Sequence, residues 1–251
     1  MDLQLHERVY VVTGGARGLG RATADCLVAE GARVVVSGRS AESLEATAAA
    51  LGGSVVTVVA DNADPETPAR LIAAARERWG RLDGALISVG GPPAGTVTTI
   101  TDDQWRTAFD SVFLGAVRLA RDLGAALGEG GALALVLSTS VRAPLANLAL
   151  SNGLRPGLAM VAKMLADELG PRGVRVNGLL PGRVGTERVA ELDAATGDAE
   201  SARRAAVESI PLRRYGEPEE FGRAATFLLS PAASFVSGAM LPVDGGMLRA
   251  L

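Results

Sequence analysis

Apolar and polar positions follow two periods in this chain, and the switch between them recurs from end to end. Short, nearly continuous apolar runs mark strands buried on both faces, and stretches with apolar residues every three or four positions mark helices. The first run is Val9–Val12, followed by a helical pattern over about 19–30 that ends at Gly31. A second strand at 33–37 and a helix at Ala41–Leu51 come next, then a third strand at 54–60, a helix beginning near Pro65 and a fourth strand at 83–87. Residues 101–127 read as one long helix, with Trp105, Phe109, Val112, Phe113 and Ala116 at helical spacing. A fifth strand at about 132–137, a long helix at about 151–169 and a sixth strand at 174–179, ending at Pro181-Gly182, follow. A helix at Pro218–Leu229 and a strand at 239–243 close the chain.

This alternation predicts an α/β fold: a single Rossmann-type, doubly wound parallel sheet of about seven strands with helices on both faces. No Pro-, Gly- or Ser-rich linker, internal repeat or low-complexity tract divides it, so 1–251 is expected to be one dinucleotide-binding domain. The polar, alanine-rich stretch 186–209 predicts one or two short helices, and 183–210 is expected to form a lid over a substrate.

The first strand runs into Thr13-Gly14-Gly15-Ala16-Arg17-Gly18-Leu19-Gly20, and a helix begins at once. Gly14, Gly18 and Gly20 allow a tight turn and a close approach of backbone to ligand. The helix N-terminus directs free N–H groups and a positive dipole end at the turn, which favours an anion such as a diphosphate. In a βαβ nucleotide unit the second strand's end faces the adenosine ribose, where an acid would accept from a 2′-hydroxyl and repel a 2′-phosphate. This chain has Arg39 there, and Arg17 in the turn, so the pattern points to NADP(H) rather than NAD(H). Asp61, at the end of the third strand, has two open readings: an adenine contact or a cap on the following helix. Ser88-Val89-Gly90-Gly91 makes a second glycine turn at a strand's carboxyl end, where α/β sheets hold their ligands.

Composition narrows the chemistry. At 251 residues, 48% hydrophobic and 21% charged, the chain can bury one large core. A net charge of −3 with both signs scattered gives no basic footprint for nucleic acid. The apolar runs are too short to span a bilayer and the N-terminus lacks the plan of a signal peptide, so a cytoplasmic location is expected, with no membrane partner. One cysteine, Cys26, excludes an internal disulfide and a cysteine-based metal cluster, and reads as a buried structural thiol. One histidine, His6, excludes a His-based metal site and a Ser-His-Asp triad.

The assembled motifs resemble the short-chain dehydrogenase/reductase family, in particular its 3-oxoacyl-(acyl carrier protein) reductase type, over essentially the whole chain. Thr13 to Gly20 is similar to the family's Thr-Gly-x-x-x-Gly-x-Gly, and Asp61 to its adenine-contacting Asp. Gly173 to Asn177 leading into Pro181-Gly182-Arg183-Val184-Gly185-Thr186 is similar to its segment beside the nicotinamide. Pro211 to Glu220, and Ser237 to Gly246, are similar to its C-terminal region. The resemblance implies NADP(H) contacts from Arg17, Leu19, Arg39, Asp61 and Thr186, with Gly90, Pro181 and Gly182 at the nicotinamide half. It also implies a tetramer or dimer built through the long helices and a small-molecule substrate.

The catalytic positions depart from that family. Its Tyr-x-x-x-Lys falls on Ser151 and Arg155, its serine on Ser138 (or on Ser140 if the loop is two residues shorter), and its Asn on Val112. Its Asn-Asn-Ala-Gly reads Ile87-Ser88-Val89-Gly90. The only tyrosines are Tyr10 and Tyr215. Tyrosine, with an unperturbed pKa of about 10, serves as a proton donor once it is lowered, whereas serine is a far weaker acid. A guanidinium stays charged and relays no proton, but it donates hydrogen bonds to a nicotinamide ribose or a carbonyl oxygen. The expected site is therefore Ser138, Ser151 and Arg155. Two functions are consistent with it: an oxidoreductase acting on an activated carbonyl or C=C substrate, or a non-redox NADP(H)-binding protein.

Overall fold

The computed structural model describes residues 1–250. Seven strands, β1 (Val9–Val12), β2 (Arg33–Gly38), β3 (Val55–Val59), β4 (Gly84–Ile87), β5 (Ala132–Val136), β6 (Arg175–Pro181) and β7 (Met240–Val243), form one sheet in the order β3-β2-β1-β4-β5-β6-β7. Every neighbouring pair is parallel. The helices are α1 (Gly18–Ala29), α2 (Ala41–Leu51), α3 (Thr67–Trp79), α4 (Asp102–Ala108), α5 (Gly115–Ala126), α6 (Ala149–Leu169), α7 (Glu187–Ala194), α8 (Ala199–Ser209) and α9 (Pro218–Leu229). The doubly wound parallel sheet expected from the alternation is the one observed.

Alternate residues of each strand serve two cores. Val9, Val11, Val35, Ala85, Ile87, Leu133 and Leu135 pack on one face with Leu71, Leu119, Leu123 and Leu158. Tyr10, Val12, Val34, Val36, Leu86, Ala134 and Val136 pack on the other with Leu27, Leu44, Phe221 and Leu228. Burial on both faces is why these strands read as apolar runs instead of strict alternation. The strand order reverses between β1 and β4, which opens a crevice at the carboxyl edge of the sheet, the position where such folds bind ligands.

Three boundaries differ from the pattern reading. The 101–127 stretch is not one regular helix, because a π-helical segment, Phe109–Leu114, separates α4 from α5. Gly115 follows it, where a Cβ would lie 2.4 Å from the Asn62 carbonyl, so the widened turn sits where the helix presses on the loop after β3. Helix α3 begins at Thr67 instead of near Pro65: Asp61 and Asp64 accept from Ala63 N and Glu66 N, and these local turns hold 61–66 out of the helix. Helix α6 begins two residues before Ser151, where Ala149 N donates to Gly95 O and pins its start to the loop after β4. Among the described residues no helix is long and apolar enough to cross a membrane.

Candidate active site

The crevice begins at the glycine turn after β1. Gly14 and Gly18 adopt φ of 58° and 55°, conformations that only glycine takes readily. A Cβ on Gly20 would stand 2.4 Å from Gly14 O, so helix α1 packs directly onto the turn. Leu19 is partly buried against the core on that face. Arg17 occupies the N-cap of α1 without a side-chain cap bond, leaving the first-turn N–H groups to face the turn. Gly15 N donates to Ser37 O at 3.0 Å, and a Cβ on Gly38 would lie 3.5 Å from Ala16 Cβ. The residues flanking Arg17 and Arg39 are thus in contact. Both arginines are exposed, and neither has a hydrogen-bond or ion-pair partner among the described residues. Two unpaired guanidinium groups beside a glycine cradle fit a phosphorylated ribose.

Asp61 is exposed at the end of β3. It does not cap α3, whose cap position is Glu66; its Oδ1 accepts from Ala63 N at 2.9 Å. On the other side of the turn, Thr186 lies over Gly18, with its Cγ2 3.6 Å from where a Cβ would be. Pro181 ends β6, and Gly182 N donates to Val243 O at 3.0 Å. The segment after β6 therefore arches back over the glycine turn.

A chain of contacts leads from this cradle to the reacting end. Thr13 Oγ1 and Ser88 bond reciprocally: the hydroxyl donates to Ser88 O at 3.0 Å and accepts from Ser88 N at 2.8 Å. Asn62 Nδ2 donates to the same carbonyl at 3.3 Å. Two residues on, Gly90, at φ 54°, presents its carbonyl to Arg155 Nη2 at 2.7 Å. Arg155 Nη1 donates to Val136 O at the end of β5. Arg155 is only 6% exposed, and its Nε has no partner. Burial alone acts on it and pushes the guanidinium down to about 10, so it stays charged at neutral pH.

Ser151 stands one helical turn before Arg155 on the same face of α6 and is 7% exposed. The serine beside it is Ser140, whose Oγ lies 3.1 Å from Ser151 Oγ. Of the two serines that the sequence offers, Ser138 and Ser140, this contact singles out Ser140. Ser138 Oγ accepts from Ser140 N at 3.0 Å and caps a single 3₁₀ turn, Thr139–Val141. That turn swings Ser140 inward and leaves Ser138 with a capping task. Asn152 clasps the loop before α6, accepting from Leu145 N at 3.0 Å and donating to Leu145 O at 2.8 Å. Val112, at the expected asparagine position, is 3% exposed in the apolar core and offers no polar group.

Neither tyrosine substitutes for the missing acid. Tyr10 OH donates to Leu229 O at 3.3 Å inside the second core, and burial raises its pKa strongly. Tyr215 OH donates to Asp193 Oδ2 at 3.0 Å, and burial followed by this bond raises its pKa. Asp193, 5% exposed, accepts from Arg183 Nη1 at 2.8 Å with its other oxygen. Arg203 of α8 lies over the Tyr215 ring at 4.4 Å. The 183–210 stretch folds as α7 and α8 and is fastened by this Arg183–Asp193–Tyr215–Arg203 group, none of which the sequence pattern revealed. Arg188, on α7, reaches the second glycine turn and donates to Pro92 O at 2.5 Å. Cys26 is half-buried instead of fully enclosed, with its Sγ 2.9 Å from where a Cβ on Gly222 of α9 would be.

The sequence model of the family described as enoyl-(acyl carrier protein) reductase matches residues 14–248. The chain is 34% identical over 248 residues to the short-chain reductase protein NovJ of Streptomyces niveus, covering 96% of this chain and 94% of that protein. Its structure is similar to that of L-sorbose reductase from Gluconobacter frateurii complexed with NADPH and L-sorbose, at 29% identity and a TM-score of 0.92 over the full length of both chains. It is similar also to the apo structure of a short chain oxidoreductase from Pseudomonas aeruginosa PAO1 containing an atypical catalytic center. That match has 29% identity and a TM-score of 0.89, and covers 97% of this chain and 98% of the other.

Proposed function

The chain belongs to the short-chain dehydrogenase/reductase family of oxidoreductases, and on that premise we propose that it uses NADP(H) to reduce or oxidise an activated carbonyl or conjugated C=C substrate without a tyrosine acid. The observation that carries this reading is the convergence of Ser140, Ser151 and Arg155 at the carboxyl edge of the sheet, joined through Gly90 and Ser88 to the glycine cradle. The NADPH complex of the sorbose reductase supports the cofactor assignment.

The turn at Gly14, Gly18, Leu19 and Gly20 would hold the diphosphate, with Arg17 and Arg39 on a 2′-phosphate and Asp61 at the adenine. Gly90, Pro181, Gly182, Thr186 and Arg155 would flank the nicotinamide half. When bound, the cofactor supplies or accepts a hydride, chemistry that needs orientation above all. The chain's own groups supply polarisation. Ser140 Oγ lies 3.4 Å from Ser151 O and 3.1 Å from Ser151 Oγ; when it donates to the hydroxyl instead of the carbonyl, the Ser151 hydrogen is left to donate to a carbonyl oxygen. Arg155 offsets negative charge growing on that oxygen in an enclosed site, where charge acts strongly. Proton delivery falls to water or to the substrate, which favours substrates needing little acid catalysis: quinones, enones and iminium ions. The chain acts as one dinucleotide-binding unit in which 183–210 covers the substrate, and it assembles as a dimer or tetramer through its long helices.

A second reading, a non-redox NADP(H)-binding protein, is favoured by the joint replacement of tyrosine, lysine and asparagine by Ser151, Arg155 and Val112. Fluorescence titration with NADPH and NADH tests the cofactor assignment common to both. Tighter binding of NADPH is expected; equal binding, or none, would refute it.

A further inference from the structure

Arg155 is a buried cation without a counter-ion. Among the described residues no carboxylate pairs with it, both of its hydrogen bonds go to backbone carbonyls, and Nε is enclosed with no acceptor. Two neutral carbonyl dipoles solvate a guanidinium only in part, and an unpaired buried charge is costly to hold. Nothing beside it can become its anion. The side chains at the site, Ser140 and Ser151, are neutral hydroxyls. Arg188, on the rim, brings a second cation to Gly91 and Pro92, partly offset by Glu191 at 3.5 Å. The pocket thus has an excess of positive charge that the chain itself does not balance.

We infer that this pocket is completed by an organic oxyanion, a carboxylate or an ionised enol carried by the substrate, and that Arg155 is the residue that selects it. The inference rests on the reading of Ser140, Ser151 and Arg155 as the substrate site and names the substrate class for it. Arg155 has five N–H donors, of which two are used. When Ser140 donates to Ser151 Oγ instead of Ser151 O, the Ser151 hydroxyl adds a further donor to a carboxylate lying over it. Charge-assisted hydrogen bonds in an enclosed site discriminate an anion from its neutral isostere on the order of 10- to 100-fold. A lysine at position 155 keeps the charge but loses the planar fork, so it preserves part of the preference.

The test is calorimetric binding of benzoate and of benzamide, a charged and neutral pair of the same shape, to the full-length protein with and without saturating NADPH. The wild type is expected to bind benzoate at least about tenfold more tightly than benzamide. Arg155→Gln is expected to abolish the difference, Arg155→Lys to keep part of it, and Arg188→Gln to leave most of it. Equal affinities in the wild type, no benzoate binding, or a preference that survives Arg155→Gln but disappears in Arg188→Gln would overturn the inference. The wild-type comparison stands even where Arg155→Gln fails to fold. A benzoate preference without NADPH oxidation on any substrate would sink the redox reading and leave the anion site. Turnover of neutral carbonyls without a benzoate preference would do the reverse.

Discussion

Arg155 Nη2 donates to the Gly90 carbonyl at 2.7 Å, so one hydrogen bond ties helix α6 to the second glycine turn. The same guanidinium reaches Val136 O, and β4, β5 and α6 are thereby joined at the point where the sheet meets its ligand crevice. A charged group that relays no proton thus ties these elements together one helical turn from Ser151.

Restoring an acid should therefore change the reaction more than removing a serine. The double variant Ser151→Tyr/Arg155→Lys is expected to raise NADPH-dependent reduction of a simple ketone by roughly 10²-fold or more, the usual range for a positioned general acid. Steady-state rates of the wild type and the double variant on one unactivated ketone check this. An unchanged rate in a folded, NADPH-binding variant would show that proton supply is not what limits the natural site.

Arg39 should set cofactor choice. Arg39→Ala removes one of two unpaired cations beside the cradle and is expected to weaken NADPH roughly 10- to 100-fold while leaving NADH nearly unchanged. Titrating both nucleotides against both proteins reads this directly, and the NADPH affinity of the wild type should fall with added salt.

Tyr215→Phe should loosen the proposed cover, 183–210. It deletes the hydroxyl that donates to buried Asp193 but keeps the ring under Arg203. A stability loss of about 1–2 kcal/mol is expected, lowering the melting temperature by roughly 2–8 °C. An increased KM with little change in kcat would place the effect on substrate retention by α7 and α8.

Acid should release one fastening beside this cover. Hydrogen bonds from Arg214 and then from Glu217 N lower the Glu220 pKa from 4.5 to about 2. Its folded-state value lies below its unfolded one, so its stabilising contribution is complete above about pH 4.5 and is lost as the pH falls toward about 2. Denaturant midpoints at about pH 6 and about pH 3 should differ less for Glu220→Gln than for the wild type.

The order of strands and helices was legible in the chain because strands buried on both faces and amphipathic helices leave different periods. Positions fixed by contact rather than period were not. Spacing along the chain favours Ser138, with Ser140 as the alternative, and only the cap from Ser138 Oγ to Ser140 N shows which one meets Ser151. The Asp193–Tyr215 bond spans 22 residues and joins helix α7 to a loop, a pairing without any local signature. The π-helical segment at Phe109–Leu114 keeps the apolar spacing of a helix, so the pattern ran through it unbroken. Arg155 was visible as a cation at the lysine position, but its lack of any acidic partner became apparent only from the packing around it.

The exposed apolar side chains of the long helices carry the assembly proposal. Met160 and Met164 are 68% and 60% exposed on α6, and Phe109, stacked on Phe113 at 5.3 Å, is 44% exposed. Met160→Glu/Met164→Glu is expected to shift a dimer or tetramer to smaller species in analytical ultracentrifugation. A wild type that sediments as a monomer would contradict the proposal.

The most direct measurement follows NADPH absorbance with purified protein across a matched panel of quinones, conjugated enones and simple ketones, after NADPH binding has been shown. NADPH oxidation on the activated members, with carboxylate-bearing ones fastest and simple ketones near background, is the expected result. No oxidation on any of them by a protein that binds NADPH would contradict the oxidoreductase assignment and leave a cofactor-binding protein in its place.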